Sequence, residues 1–211
     1  MPPSVLDSTE NRLRPYHVGN VRTALLDEAQ GLLREGGLGN LNLRTLSTRT
    51  GVALSSVYHH FGSKADLLAA LAVQGFDRLT QDTAHAAANA EERVVRAWIM
   101  AYFDFAWREP ELYSLMFQAK VARVDEVRAA RAKAFQSIEN VVVAAQAAQE
   151  HSTEVRHSIA VAIWTCTHGA ASLAPIQDEG RDLVEAMITG LEALFRAIGA
   201  NQRYPNNVRG S

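Results

Sequence analysis

Apolar residues in this chain recur every three to four positions, and no stretch alternates apolar with polar residues as a strand would. The spacing predicts about nine helices. The first, Val18 to Glu35, carries Val21, Leu25, Ala29, Leu32 and Leu33, and Gly36-Gly37 ends it. Asn42 can cap a second, with Leu43 and Leu46 facing inward, and Gly51 suits a left-handed ending. A short third helix spans Leu54 to His60, with Val57 and Phe61 four apart on one face. The fourth runs from Ser63 to about Ala88 behind a capping box, Ser63 to Asp66, and buries Leu67, Leu68, Leu71 and Phe76. Later helices are expected at Glu91 to Arg108, Glu111 to Lys120, Asp125 to about Gln149, Glu154 to Leu173 and Glu179 to Ile198. His151-Ser152-Thr153 and Pro175 supply breaks, and the tail from Gly199 is polar. Glu154 to Leu173 has two apolar stripes: Val155, Ile159, Ile163, Cys166, Ala170, Leu173, and Val161, Trp164, His168, Ala171. A helix apolar on two sides is expected to be buried on two sides.

The second and third helices, joined by a tight turn at Gly51, form a helix-turn-helix, whose second helix can enter the DNA major groove. The stretch resembles the DNA-binding domain of the tetracycline-repressor (TetR) family. The resemblance rests on Leu46, Gly51-Val52, Val57-Tyr58, Phe61, Ser63-Lys64 and Asp66-Leu67-Leu68, and covers roughly Val18 to Phe76, about a quarter of the chain. It implies that Tyr58 and Lys64 contact the DNA backbone, fixing register without reading sequence. Ser55, Ser56 and His59 are the residues expected to face the groove, and Arg44 and Thr45 the phosphate anchors at a helix start. Two positions depart from the family pattern. Ala53 stands where Ser or Thr is frequent, and Leu54 where a basic residue is frequent. The recognition helix therefore has little positive charge of its own. Further on, Trp164 followed by His168-Gly169 resembles one C-terminal domain class of the same family, which implies a ligand-sensing, dimerising helical domain.

Composition adds boundaries. The 211 residues suffice for one or two domains with a substantial core. The single cysteine, Cys166, leaves no internal disulfide or Cys-based metal site, and points to a reducing, cytoplasmic setting. Neither a signal peptide nor a run of about 20 apolar residues is present, so no membrane partner is expected. Net charge is −2; up to Lys64 there are 7 basic against 5 acidic side chains, and beyond it 14 against 18. That asymmetry is compatible with phosphate binding but too weak to carry it. No catalytic motif, cofactor loop or metal-ligand spacing occurs.

The chain therefore reads as all-α. Residues 1–16 form a leader in which Arg12 and Arg14 could reach a minor groove, 17–64 a three-helix DNA-binding head, 65–199 a ligand-binding and dimerising bundle, and 200–211 a tail. The expected ligand residues are Trp98, Tyr102, Phe105, Phe117, Trp164 and His168, although aromatic stripes at helical spacing are more often core than pocket. The expected function is a homodimeric repressor that a small, apolar or weakly polar effector releases from a double-stranded operator, with no cofactor. The alternatives are an activator, a ligand-independent regulator or a protein-interaction platform. The dimer contact is expected from Leu183 to Ile198 together with Ile159, Ile163 and Leu173.

Overall fold

The computed structural model describes residues 21–91, 93–145, 152–173 and 180–201, residue 181 and the last seven by backbone alone. The leader with Arg12 and Arg14, the start at Val18, residues 146–151 and 174–179, the side chains of Phe195 and Ile198, and the tail past Asn201 lie outside the described residues. The described residues contain helices and no strand. In order they are α1 (Val21–Asn40), α2 (Leu43–Thr50), α3 (Leu54–His60), α4 (Lys64–Ala88), α5 (Val94–Arg108), α6 (Pro110–Met116), α7 (Asp125–Ala145), α8 (Thr153–Leu173) and α9 (Gly180–Asn201), with a 3-10 turn at Val121–Arg123. None of them is long and apolar enough to cross a membrane.

Local chemistry explains most ends. Asn42 Oδ1 accepts from the Thr45 N–H at 2.8 Å, and Ser63 Oγ from the Asp66 N–H at 3.2 Å. Gly51 closes α2 at φ +70, in the left-handed region. Helix α1 breaks at Gly36-Gly37, as the glycine pair predicts, with Gly37 at φ +63, but one more helical turn follows to Asn40. Two expected starts shift. α5 begins at Val94 rather than Glu91, because Arg93 takes a left-handed backbone, φ +56, that no helix accepts. α6 begins at Pro110, whose missing N–H falls where a helix start needs none, and ends at Met116 rather than Lys120.

Helix α4 is the spine. It packs on α1, α5, α6 and α7, and the buried apolar side chains form one cluster from Leu25 to Leu191. Gly75 lets α6 approach: a Cβ there would lie 2.6 Å from Met116 Sδ. The two stripes of α8 do not face two sides. Ile159, Ile163 and Ala170 from the first, and Ala171 from the second, are buried together, while Val161, Cys166 and Leu173 are exposed. On α9, Val184, Ile188 and Leu191 are buried within the protomer. Ile159, Ile163 and Leu191 thus belong to the core, and a dimer contact cannot rest on them. A stripe read from sequence does not tell which apolar neighbour it meets.

Candidate functional site

The helix-turn-helix is pinned by three polar contacts. Ser47 Oγ donates to the Val52 carbonyl at 2.7 Å, Thr50 Oγ1 to the Leu46 carbonyl at 2.7 Å, and the Val52 N–H to Thr50 Oγ1 at 3.3 Å. Val57 and Phe61 are buried beneath α3 and leave its other face to solvent. On that face Ser55, Tyr58 and His59 are exposed and Ser56 is half-buried; Tyr58 is 48% exposed, unusually open for a tyrosine. Arg44 lies exposed in the first turn of α2 beside the half-buried Thr45. Ala53 gives α3 no side-chain cap; the helix starts on backbone bonds from Ser56 and Val57 to the Ala53 carbonyl.

The head's cations are unevenly committed. Arg49 is clamped between Glu28 (2.8 Å) and Glu35 (2.8 and 3.0 Å), and those bonds raise its pKa further. Lys64 donates to the Leu38 carbonyl at 2.8 Å while remaining exposed, which fixes the start of α4 against the end of α1. Arg22 stands over the Phe61 ring, 5.1 Å from its centroid.

The bundle holds a second cluster. Trp98 and Tyr102 are fully buried one turn apart on α5, their rings at 5.4 Å. Trp164 from α8 packs on both, at 6.2 and 5.7 Å. Phe117 packs on His168 at 4.1 Å and meets Phe76 edge-on at 5.3 Å. Five of the six expected ligand residues therefore share one aromatic centre. Phe105 is buried but forms none of these ring pairs. The expected ligand set held the polar groups of Tyr102 and His168 but left out their partners Tyr113 and Ser137. Tyr113 from α6 bonds His168 Nδ1 at 2.6 Å and the Tyr102 hydroxyl at 3.2 Å, and Trp98 Nε1 donates to Ser137 Oγ at 3.0 Å. Tyr113 stands in the aromatic run of α6, but nothing in the spacing joins residue 113 to 168.

Burial sets the protonation. It holds His168 below its ordinary pKa, hence neutral, and pushes the Tyr113 phenol up to about 12 and the Tyr102 phenol well above its ordinary value. Tyr113 then donates to His168 Nδ1, which leaves the imidazole proton on Nε2. A separate cleft of about 650 Å³ opens between α5, α7 and α9, walled by Val94, Val95, Ile99, Ala144, Ile188 and Leu191. None of the six expected ligand residues lines it.

Known proteins bear on both regions. A family profile described as "Bacterial regulatory proteins, tetR family" matches residues 25–71, and one described as "Tetracyclin repressor-like, C-terminal domain" matches 95–197. A protein of unknown function from Rhodococcus sp. RHA1 is 29% identical, with TM-score 0.73, over 87% of this chain and 98% of that one. A TetR-family transcriptional regulator from Pectobacterium atrosepticum shares the fold at TM-score 0.67 and 21% identity, over 83% and 92%. The TetR-family regulator PfmR from Thermus thermophilus shares it at 0.58 and 18%, over 82% and 97%. The curated proteins give no match. With one profile on the helix-turn-helix and the other on the bundle, the chain belongs to the TetR family of transcriptional regulators, which are DNA-binding regulators rather than enzymes.

Proposed function

We propose that the protein is a homodimeric, cytoplasmic repressor whose head, residues 17–64, holds an operator and whose body, residues 65–199, releases it when a small neutral effector binds. The observation that carries the release step is the position of α6. At one end, Glu109 at its cap pairs with Arg34 of α1. Burial pushes the Glu109 carboxyl up, but bonding to Arg34 and Gln30 outweighs it and holds the group ionised. Further along, Tyr113 holds His168 of α8, and Leu112 and Met116 lie against Gly75 of α4. An effector that parts the Tyr113–His168 pair shifts a helix already tied to the head. Coupling of this kind requires unequal effector affinity for the two arrangements.

In this reading Tyr58, Lys64, Arg44 and Thr45 dock on phosphate, and Ser55, Ser56 and His59 face bases. The effector enters among Trp98, Tyr102, Phe105, Phe117, Trp164 and His168, where the rings must open to admit it. No Lys or Arg occurs between Arg108 and Lys120 or between Arg156 and Arg181, so a neutral, weakly polar compound suits the centre better than a polyanion. The dimer forms on the outer faces of α8 and α9, where Val161 is 41%, Leu173 50% and Leu194 59% exposed.

The test has two parts. Duplexes selected from a random pool should be near-palindromic and salt-sensitive. Neutral aromatic compounds that quench tryptophan emission should release them, and Trp164→Ala should abolish release with DNA binding intact. Should Trp164→Ala unfold the protein or leave release unchanged, Trp164 is core and the effector binds elsewhere. For the dimer, Leu194→Glu should give folded monomers by sedimentation, whereas Leu191→Glu should unfold the protomer; a dimer untouched by Leu194→Glu rejects the α8–α9 face.

A further inference from the structure

The first residue of the recognition helix points to how an operator is read. Helix α3, Leu54–His60, contains no Lys, Arg, Asn or Gln. Those side chains make the bidentate contacts to guanine and adenine in the major groove. Three of the neighbouring cations already have partners, Arg49 two glutamates, Lys64 the Leu38 carbonyl and Arg22 the Phe61 ring, while the exposed Arg44 lies on α2 rather than α3. What α3 offers is two serine hydroxyls, a phenol, two imidazoles and, with Val57 fully buried, one aliphatic side chain that reaches solvent, Leu54. Residues at the N-terminal end of a recognition helix are those that meet base edges. Leu54 sits there half-buried, packed on the core with one side and open on the other, between the exposed Ala53 and Ser55. It is one turn ahead of Tyr58, so the two share a helix face. The apolar group that the major groove presents is the C5-methyl of thymine.

We propose that Leu54 reads one thymine in each operator half-site through its 5-methyl group, and is a specificity-determining residue of this regulator. The inference rests on the reading of α3 as the groove element. Contact with the methyl removes the open side of Leu54 from water, which a serine or a charged side chain at this position would not gain. Discrimination at that base is then a matter of one methyl group, weaker than a bidentate pair. Selectivity at other positions falls to the hydroxyls and imidazoles.

The test uses the full chain and a duplex that it selects from a random pool. Each thymine of the half-site is replaced singly by deoxyuridine, which pairs identically but lacks the methyl. One position per half-site should lose about fourfold in wild-type affinity, the worth of one methyl-sized group removed from water. Leu54→Ala should bind the thymine operator more weakly by a similar factor and show no uracil effect at that position. Leu54→Gln should move preference there from thymine toward adenine. The idea is overturned if no uracil costs more than twofold, or if the uracil effect persists in Leu54→Ala. The wild-type uracil scan decides even where a variant folds poorly. Selection of no duplex at all would instead overturn the reading of α3 as a groove element, and this inference with it.

Discussion

Tyrosine and histidine occur here in two opposite surroundings. On α3, Tyr58 and His59 stand open to water with their polar atoms uncommitted. In the bundle, Tyr102, Tyr113 and His168 bond one another in a mostly dry centre. The same functional groups therefore serve different purposes. The outer pair can exchange water for a phosphate or a base at little cost to the fold. The inner set is already satisfied, and anything that enters must replace a hydrogen bond it breaks. Substitutions outside should change binding alone; substitutions inside should change stability first.

The sharpest test of that division is Trp98. Its indole is fully buried and donates to Ser137, whose own hydroxyl still donates to the Ala134 carbonyl at 2.8 Å. Trp98→Ala leaves Ser137 bonded but opens a large void, and should cost about 3–5 kcal/mol in urea unfolding. Tyr58→Phe should move stability by less than about 0.5 kcal/mol while weakening every operator alike. Equal loss of stability in both variants would erase the distinction.

Tyr113→Phe is a finer probe, because it keeps the ring and removes one donor. His168 Nδ1 would be left facing Tyr102 at 3.4 Å, a poor replacement for 2.6 Å. The cost should be about 1–2 kcal/mol. The same variant should alter effector release, since it unties α6 from α8. Unchanged stability would mean that water reaches this centre freely.

The head was legible in sequence and the bundle centre only in part, for a physical reason. The head contacts that spacing predicted are local. Asn42 caps Thr45, Ser63 caps Asp66, and Val57 and Phe61 share one face, all within five residues. Spacing alone fixes such contacts once the helix is granted. The family resemblance then assigns roles to Tyr58 and Lys64. The bonds of the centre join residues 11, 39 and 55 positions apart, and no periodicity encodes a pairing across separate helices. The outer face of α8 was misread for the same reason. Ile159 and Leu173 share an apolar stripe, yet one is buried by its own chain and the other is left open.

The smallest expected effect is the response of His168 to acid. Burial depresses its pKa, and Nδ1 accepts from Tyr113 only while the imidazole is neutral. Above the unfolded value, roughly 6.5, the ring is neutral in both states and costs nothing. As pH falls through that value the unfolded chain takes a proton that the folded ring resists, so stability declines with acidification. The limit for one group is about 1.4 kcal/mol per pH unit. The half-buried ring still meets solvent, so the effect should be well below that limit. Other groups titrate in the same range, so the measurement is a difference: urea unfolding of the wild type against His168→Gln between pH 7.5 and 5. The wild type should lose stability more steeply than the variant. Parallel curves would mean that the imidazole charges without penalty, and that burial and the Tyr113 bond do not hold His168 neutral.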